Sequence, residues 1–274
     1  MSVYVLPSAL TEEPAARTLG PVVLEVRLFG ELELRVDGRI VPGRNGPRGT
    51  SVLRMLLASP GRRCSRDLLL EEYWPGVRPE TARNRLQVAV SGLRRALLEV
   101  SRLPLIEFAD GGYRIDPAVS LELDTERFEQ SLSAARRLDR SGDPAGAAAG
   151  YRQAVQLYRG DFAADAPYEP WTMLPRESLR LRYLDALDRL SRIEWKVGAI
   201  GDCVATGHRM LAADPCREDA HQLLMRCYAE QGRVYQVHRQ FDFCRRVLAA
   251  TLDCPPAAET TRLYRYLCSA AAGA

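Results

Sequence analysis

The spacing of apolar residues changes along the chain, and each change predicts a change of structure. Over residues 22–41 the apolar positions alternate or run together, and Asp37-Gly38 is a hairpin-turn pair, so this stretch predicts a small antiparallel sheet. A polar link with Gly and Pro follows at 42–49. Val52, Leu53, Leu56 and Leu57 then predict a first helix over 50–58, ended by Ser59-Pro60-Gly61. Ser65 is placed to cap a short second helix over 66–74, with Leu68, Leu69 and Tyr73 turned inward and Pro75, Gly76 and Pro79 breaking it. A third helix is predicted over 81–97. Beyond it, 105–108 and 113–115 read as two strands joined by a turn at Asp110-Gly111-Gly112.

The third helix has two chemically different sides. Leu86, Val90, Leu93 and Leu97 recur at steps of four, three and four, so at about 100° per residue they keep one heading and face a core. Asn84, Val88, Ser91 and Arg95 point the opposite way, flanked by Gln87 and Arg94 on one side and Arg85 on the other. That face offers donors, an acceptor and an apolar contact for base edges, with cations for phosphates. Residues 81–102 hold five arginines, with Arg83 and Arg102 completing the set, against Glu99 alone, a local excess that favours a polyanion over a general protein surface.

From about residue 121 the spacing is helical throughout, with helices predicted over 124–140, 144–159, 167–197, 200–213, 216–231, 234–252 and 256–270. Gly198 and Gly232 follow comparable helices 34 residues apart, the period of tetratricopeptide repeats, in which stacked helix pairs share a continuous core.

Bulk composition adds little to this picture and mainly excludes. The chain has 274 residues, 46% hydrophobic and 27% charged, enough for two compact domains, and a formal net charge of only +3, so a nucleic-acid footprint must be local. Lys196 is the single lysine, and every other basic side chain apart from the three histidines is arginine, whose planar fork suits phosphate and guanine. Seven scattered cysteines without CxxC or Cys/His spacing read as reduced apolar fillers, which predicts a cytoplasmic protein with no metal. Residues 1–21 lack the basic start and apolar run of a secretory signal and read as a loose extension, and no uninterrupted run of about 18 apolar residues predicts a membrane span. His208, His221 and His238 fall inside repeat helices at no metal spacing, and there is no nucleophile elbow, dinucleotide loop or GxxxxGKS/T phosphate loop. Neither a cofactor nor catalysis is expected. Trp171, Trp195 and the tyrosines of the helical half read first as core.

Sheet, three helices and a glycine-tipped hairpin, in that order, is the arrangement of a winged helix-turn-helix with an added N-terminal sheet. Trp74-Pro75, Ala82-Arg83-Asn84, Leu86-Gln87, Val90-Ser91, Leu93-Arg94-Arg95-Ala96-Leu97 and Gly112-Tyr113 resemble the OmpR-type DNA-binding domain of Streptomyces antibiotic regulatory proteins. Leu157-Tyr158-Arg159-Gly160-Asp161-Phe162, Ala213-Asp214-Pro215-Cys216-Arg217-Glu218, Leu223-Leu224-Met225 and Pro255-Pro256-Ala257-Ala258-Glu259-Thr260 resemble the bacterial transcriptional activator domain that follows it in that family. The resemblance covers roughly residues 22–270. It implies a mixed fold: an α+β winged helix over 22–116, then an all-α tetratricopeptide-like domain over 121–270.

The resemblance also implies a transcriptional activator of a biosynthetic gene cluster. Two protomers would sit on direct repeats in double-stranded promoter DNA as a homodimer and recruit RNA polymerase holoenzyme. Gln87, Val88 and Ser91 would face bases and Asn84 lies on the same face, while Arg83, Arg85, Arg94 and Arg95 suit phosphates or an edge contact. Arg114, beside the glycine turn, would reach DNA from the wing, and the 74–80 connection, with Trp74, Arg78 and Glu80, would face polymerase. Gly92 departs from the long polar residue often found at its position in OmpR-type helices and costs about 1 kcal/mol of helix propensity against alanine. The rival reading is a helical-repeat scaffold whose N-terminal domain is a degenerate winged helix that binds protein.

Overall fold

The computed structural model describes residues 22–41 and 46–272, so the predicted N-terminal extension and part of the 42–49 link lie outside the described residues. Strands β1 (Val23–Arg27), β2 (Glu33–Val36) and β3 (Arg39–Ile40) form the predicted meander, with Leu24, Val26, Leu34 and Val36 alternating into the core. Both residues of the Asp37-Gly38 turn have positive φ, as a two-residue hairpin of this twist requires.

Helix α1 (Gly46–Ala58) starts four residues before the predicted position and buries Val52, Leu53, Leu56 and Leu57. A short strand β4 (Arg63–Ser65), absent from the sequence reading, leads into α2 (Arg66–Tyr73). Ser65 caps α2 as predicted, its hydroxyl accepting from the Leu68 N–H at 3.2 Å. Leu68 itself points outward. The buried stripe of this eight-residue helix is Leu69 and Tyr73, one turn apart, and Leu68 lies about 100° away from Leu69.

Helix α3 (Pro79–Leu98) carries Pro79 in its first turn, where a missing N–H costs nothing. It is followed by the hairpin β5 (Ile106–Ala109) and β6 (Gly112–Ile115), and β4 pairs with β6 to give a three-stranded sheet in the order β4-β6-β5. A Cβ on Gly112 would stand 2.3 Å from the Cys64 carbonyl oxygen, so the close approach of β4 to β6 requires glycine there.

Strand β7 (Ser120–Leu123) runs parallel to β1 and closes the N-terminal sheet as β3-β2-β1-β7. It lies beyond residue 116, so the first sheet is completed by residues that the sequence division left outside the winged helix. Among the described residues seven helices follow: α4 (Asp124–Arg140), α5 (Pro144–Leu157), α6 (Met173–Lys196), α7 (Ile200–Ala213), α8 (Glu218–Glu230), α9 (Val234–Leu252) and α10 (Ala258–Ala272). The bounds of α4, α7 and α9 coincide with the predicted ones. The predicted 167–197 helix instead begins at Met173, after a 3-10 turn at Pro170–Thr172. The carbonyls of Phe162, Ala163 and Ala166 just upstream are taken by the Arg176 guanidinium rather than by a helical ladder.

The two halves interleave. Phe162, Ala163 and Ala166 pack into the core of the sheets and α1–α3, while Phe29 packs into the core of the helices, edge-on to Phe128. The Asp124 carboxylate, buried at the start of α4, accepts the N–H groups of Leu28 at 2.8 Å and Phe29 at 3.1 Å.

A second, polar seam joins α1 and α2 to the 160–172 connection. Arg54, 2% exposed, bonds Asp165 at 2.6 Å and lies 3.4 Å from Glu169. Glu169 also accepts from Ser51, from the Tyr73 hydroxyl at 3.3 Å and from the Trp171 indole at 2.9 Å. Burial and the adjacent Glu169 carboxylate hold the Tyr73 phenol far above its usual pKa, so it stays protonated and can donate.

Candidate nucleic-acid interface

Helix α3 is anchored by Ala82, Leu86, Val90, Leu93, Ala96 and Leu97, all buried. Its opposite side is exposed at Arg83, Asn84, Arg85, Gln87, Val88, Ser91 and Arg95, with Val88 at 73%. An apolar side chain held that far into solvent is available for a partner. Among the described residues, none of Arg83, Arg85 and Arg95 has a carboxylate within ion-pair distance, so three unneutralised cations flank the polar row.

The structure separates Arg94 from these three. Its Nε donates to the Ile106 carbonyl at 3.0 Å and its guanidinium lies 5.9 Å from the centre of the Tyr113 ring. Arg94 thus joins α3 to the wing, leaving only the outer edge of its fork for another contact. Arg114 is likewise engaged, paired across the hairpin with Glu107, which directly opposes it in register. The wing turn Asp110-Gly111 has positive φ at both residues, and the Gly111 carbonyl accepts the Arg66 N–H at 3.1 Å, which braces the wing tip against the start of α2.

Between α3 and the wing lies a groove of about 410 Å³, floored by Leu86, Val90 and Tyr113 and walled by Gln87, Ser91 and Phe108. Sequence reasoning passed over two of its residues. Phe108 is 49% exposed because it continues the inward face of β5 past the point where Ile106 meets the core, and it stacks edge-on against Tyr113. Arg66 reaches the same groove, and its Nε, 3.5 Å from Asp67, makes no hydrogen bond. The signal for Arg66 was its place directly after the capping serine, at the mouth of a helix packed beside α3.

The predicted 74–80 connection ends at Arg78, because α3 begins at Pro79; within it Trp74 is 8% exposed and packs edge-on to Tyr73, with its N–H closing the last turn of α2. An incoming protein would meet Arg78 and Glu80, which are exposed, and not the indole. The three histidines are held by neighbours: His208 by the Tyr228 hydroxyl at 3.0 Å, His238 by the Tyr264 hydroxyl at 2.7 Å, and buried His221 by the Pro215 carbonyl and Gln240. Burial lowers the His221 pKa and keeps that ring neutral. Among the described residues no His, Cys, Asp and Glu side chains gather into a metal-binding group, and no helix is long and apolar enough to cross a membrane.

A winged helix whose third helix turns a cationic, hydrogen-bonding face outward, followed by stacked helix pairs, defines a DNA-binding transcriptional regulator. Residues 43–115 match the family described as "Transcriptional regulatory protein, C terminal", and residues 123–267 match the "Bacterial transcriptional activator domain". The second match spans more than half of the chain, and the chain belongs to that family; with the first match before it, it is a transcriptional activator of the Streptomyces antibiotic regulatory protein family.

Relatives agree with this placement. The regulatory protein AfsR of Streptomyces coelicolor is 26% identical over 83% of this chain and 23% of its own length, so the chain spans about a quarter of that relative. The regulatory protein DnrI of Streptomyces peucetius is 23% identical over 88% of this chain and 90% of its own length. Among solved structures, Mycobacterium tuberculosis EmbR, determined in complex with a low affinity phosphopeptide, shares the fold with a TM-score of 0.70 at 23% identity, covering 90% of this chain and 65% of that one.

Proposed function

We propose that this activator binds direct repeats in promoter DNA as a pair of protomers, with α3 in successive major grooves, and thereby recruits RNA polymerase to a biosynthetic gene cluster. The observation that carries the reading is the exposed face of α3, where Gln87, Val88 and Ser91 form a row between the unpaired cations Arg83, Arg85 and Arg95. Gln87 has the bidentate amide that matches adenine, Val88 suits a thymine methyl and Ser91 takes either donor or acceptor. Asn84 stands at the N-terminal end of the same row. The arginines neutralise phosphates, and Arg66 at the mouth of α2 adds one more cation on the flank. Arg94 ties the wing to α3 and Arg114 pairs across the wing hairpin with Glu107, and each reaches DNA with what remains of its fork. Arg78, at the end of the connection, and Glu80, in the first turn of α3, supply the charged surface for polymerase.

The test is anisotropy of labelled duplexes carrying direct repeats spaced by about 10–11 base pairs, titrated between roughly 50 and 200 mM salt. Binding should weaken steeply over that range, and Gln87→Ala should relax preference at one base position by about 1–3 kcal/mol. Flat salt dependence, or an unchanged sequence preference in Gln87→Ala, sinks the assignment. No DNA binding at all would promote the protein-binding scaffold.

A further inference from the structure

The helical half holds a second surface whose chemistry the DNA-binding reading does not use. Between α6 and α8 runs an open groove of about 670 Å³, floored by Met210 of α7. Its walls are mostly apolar: Trp195 from the last turn of α6, 36% exposed, and Leu223 from α8. The carboxylates on its rim are already satisfied, since Asp188 pairs with Arg192 at 3.0 Å and Asp219 pairs with Arg217. The hydrogen bonds from Arg217 lower the Asp219 pKa against the opposing effect of burial.

Two cations remain. Lys196, adjacent to Trp195, and Arg226, one turn beyond Gln222 on α8, both line the groove, and among the described residues neither has a carboxylate within ion-pair distance. They therefore leave the groove with uncompensated positive charge beside an exposed indole. Lys196 is the only lysine in a chain otherwise supplied with arginine.

We propose that this groove binds an acidic peptide segment of another protein, with a large apolar side chain seated on Trp195, Leu223 and Met210 and flanking carboxylates held by Lys196 and Arg226. Charge complementarity selects this occupant. A nucleic-acid backbone would bring continuous negative charge past Asp188 and Asp219, whereas a peptide places isolated carboxylates against the two free cations and presents an apolar residue to the rest. The groove is open to solvent between two helices, which suits a chain segment laid along it. It is separate from the α3 face, so the same molecule can hold DNA and the peptide together.

The full-length chain is titrated by anisotropy with a fluorescein-labelled synthetic peptide in which glutamate alternates with leucine and phenylalanine, and with its glutamine counterpart. The glutamate peptide should bind about tenfold more tightly than the glutamine peptide at low salt, and Lys196→Glu/Arg226→Glu should abolish that difference. Trp195→Ala should weaken both peptides alike. Promoter binding should stay at the wild-type level in every variant, which separates failure here from failure of the DNA reading. Should the reversal disturb folding by circular dichroism, Lys196→Gln/Arg226→Gln removes the charge more gently and should equalise the two peptides. Equal binding of the two peptides to the wild-type chain, no binding of either, or an undiminished preference in the charge variants overturns the proposal.

Discussion

Arg54 of α1 and the arginines of α3 carry the same charge within one small domain, in opposite settings. Arg54 is 2% exposed and spends its guanidinium on Asp165 and Glu169 of the 160–172 connection, while Arg83, Arg85 and Arg95 stand in solvent with no carboxylate nearby among the described residues. Burying a guanidinium requires partners that balance its desolvation, so Arg54 reports on how the two halves are held together. An exposed guanidinium without a partner adds nothing to stability, so its excess on one face reports on what that face meets. Arg94 sits between these extremes, half-buried, tied to the wing at one nitrogen and free at its outer edge.

The largest effect expected along this axis is on the seam. Arg54→Met should cost about 3–5 kcal/mol of unfolding free energy, because it leaves Asp165 and Glu169 facing an apolar side chain in a partly desolvated site. Urea denaturation measures it, and a loss under about 1 kcal/mol would show that water replaces the guanidinium freely. Arg94→Ala comes next, at about 1–1.5 kcal/mol for the lost bond to the Ile106 carbonyl and the contact with Tyr113. It should also lower DNA affinity by loosening the wing; a change in affinity with no change in stability would make Arg94 a direct contact alone.

Gly92→Ala is expected to raise stability by roughly 0.5–1 kcal/mol, since a Cβ there meets nothing within 4 Å and the helix gains propensity. If DNA affinity falls while stability rises, the glycine serves close approach of the duplex; if affinity is unchanged, its presence has no binding role. Smallest in stability are Arg83→Ala and Arg85→Ala, each within about 0.5 kcal/mol of wild type by urea denaturation. Both should instead reduce the slope of log affinity against log salt by about 0.9 apiece, and an unaltered slope would remove that arginine from the phosphate contacts.

Much of this was legible from local patterns. The buried stripe of α3, the cap at Ser65 and the two Asp-Gly turns follow from residue type and spacing over a few positions, and the structure places them as read. Where the structure departs from those patterns, the deciding interaction came from elsewhere along the chain, except at Leu68. Strand β7 has only four residues and finds its partner in β1 nearly a hundred positions earlier, so no local period announces it. Leu68 faces outward because a helix of two turns turns only one narrow stripe toward the core. The late start of α6 follows from the carbonyls claimed by Arg176 and from Glu169, which is drawn to Ser51, Tyr73 and Arg54.

By itself the sequence determined which side of each long helix is apolar, where the turns fall and that one short segment concentrates arginine, since those properties depend on neighbours within a turn or two. Only the tertiary structure decided which cations are spent and which are free. Arg54, Arg94 and Arg114 look no different in sequence from Arg83, Arg85 and Arg95, yet the first three find a carboxylate or carbonyl brought close by folding. The same holds for Trp74 and Trp195, one buried behind α2 and the other left on a groove beside an unpaired lysine. Charge neutralisation and desolvation are set by distance in space, and pairings separated by tens of residues leave no period along the chain.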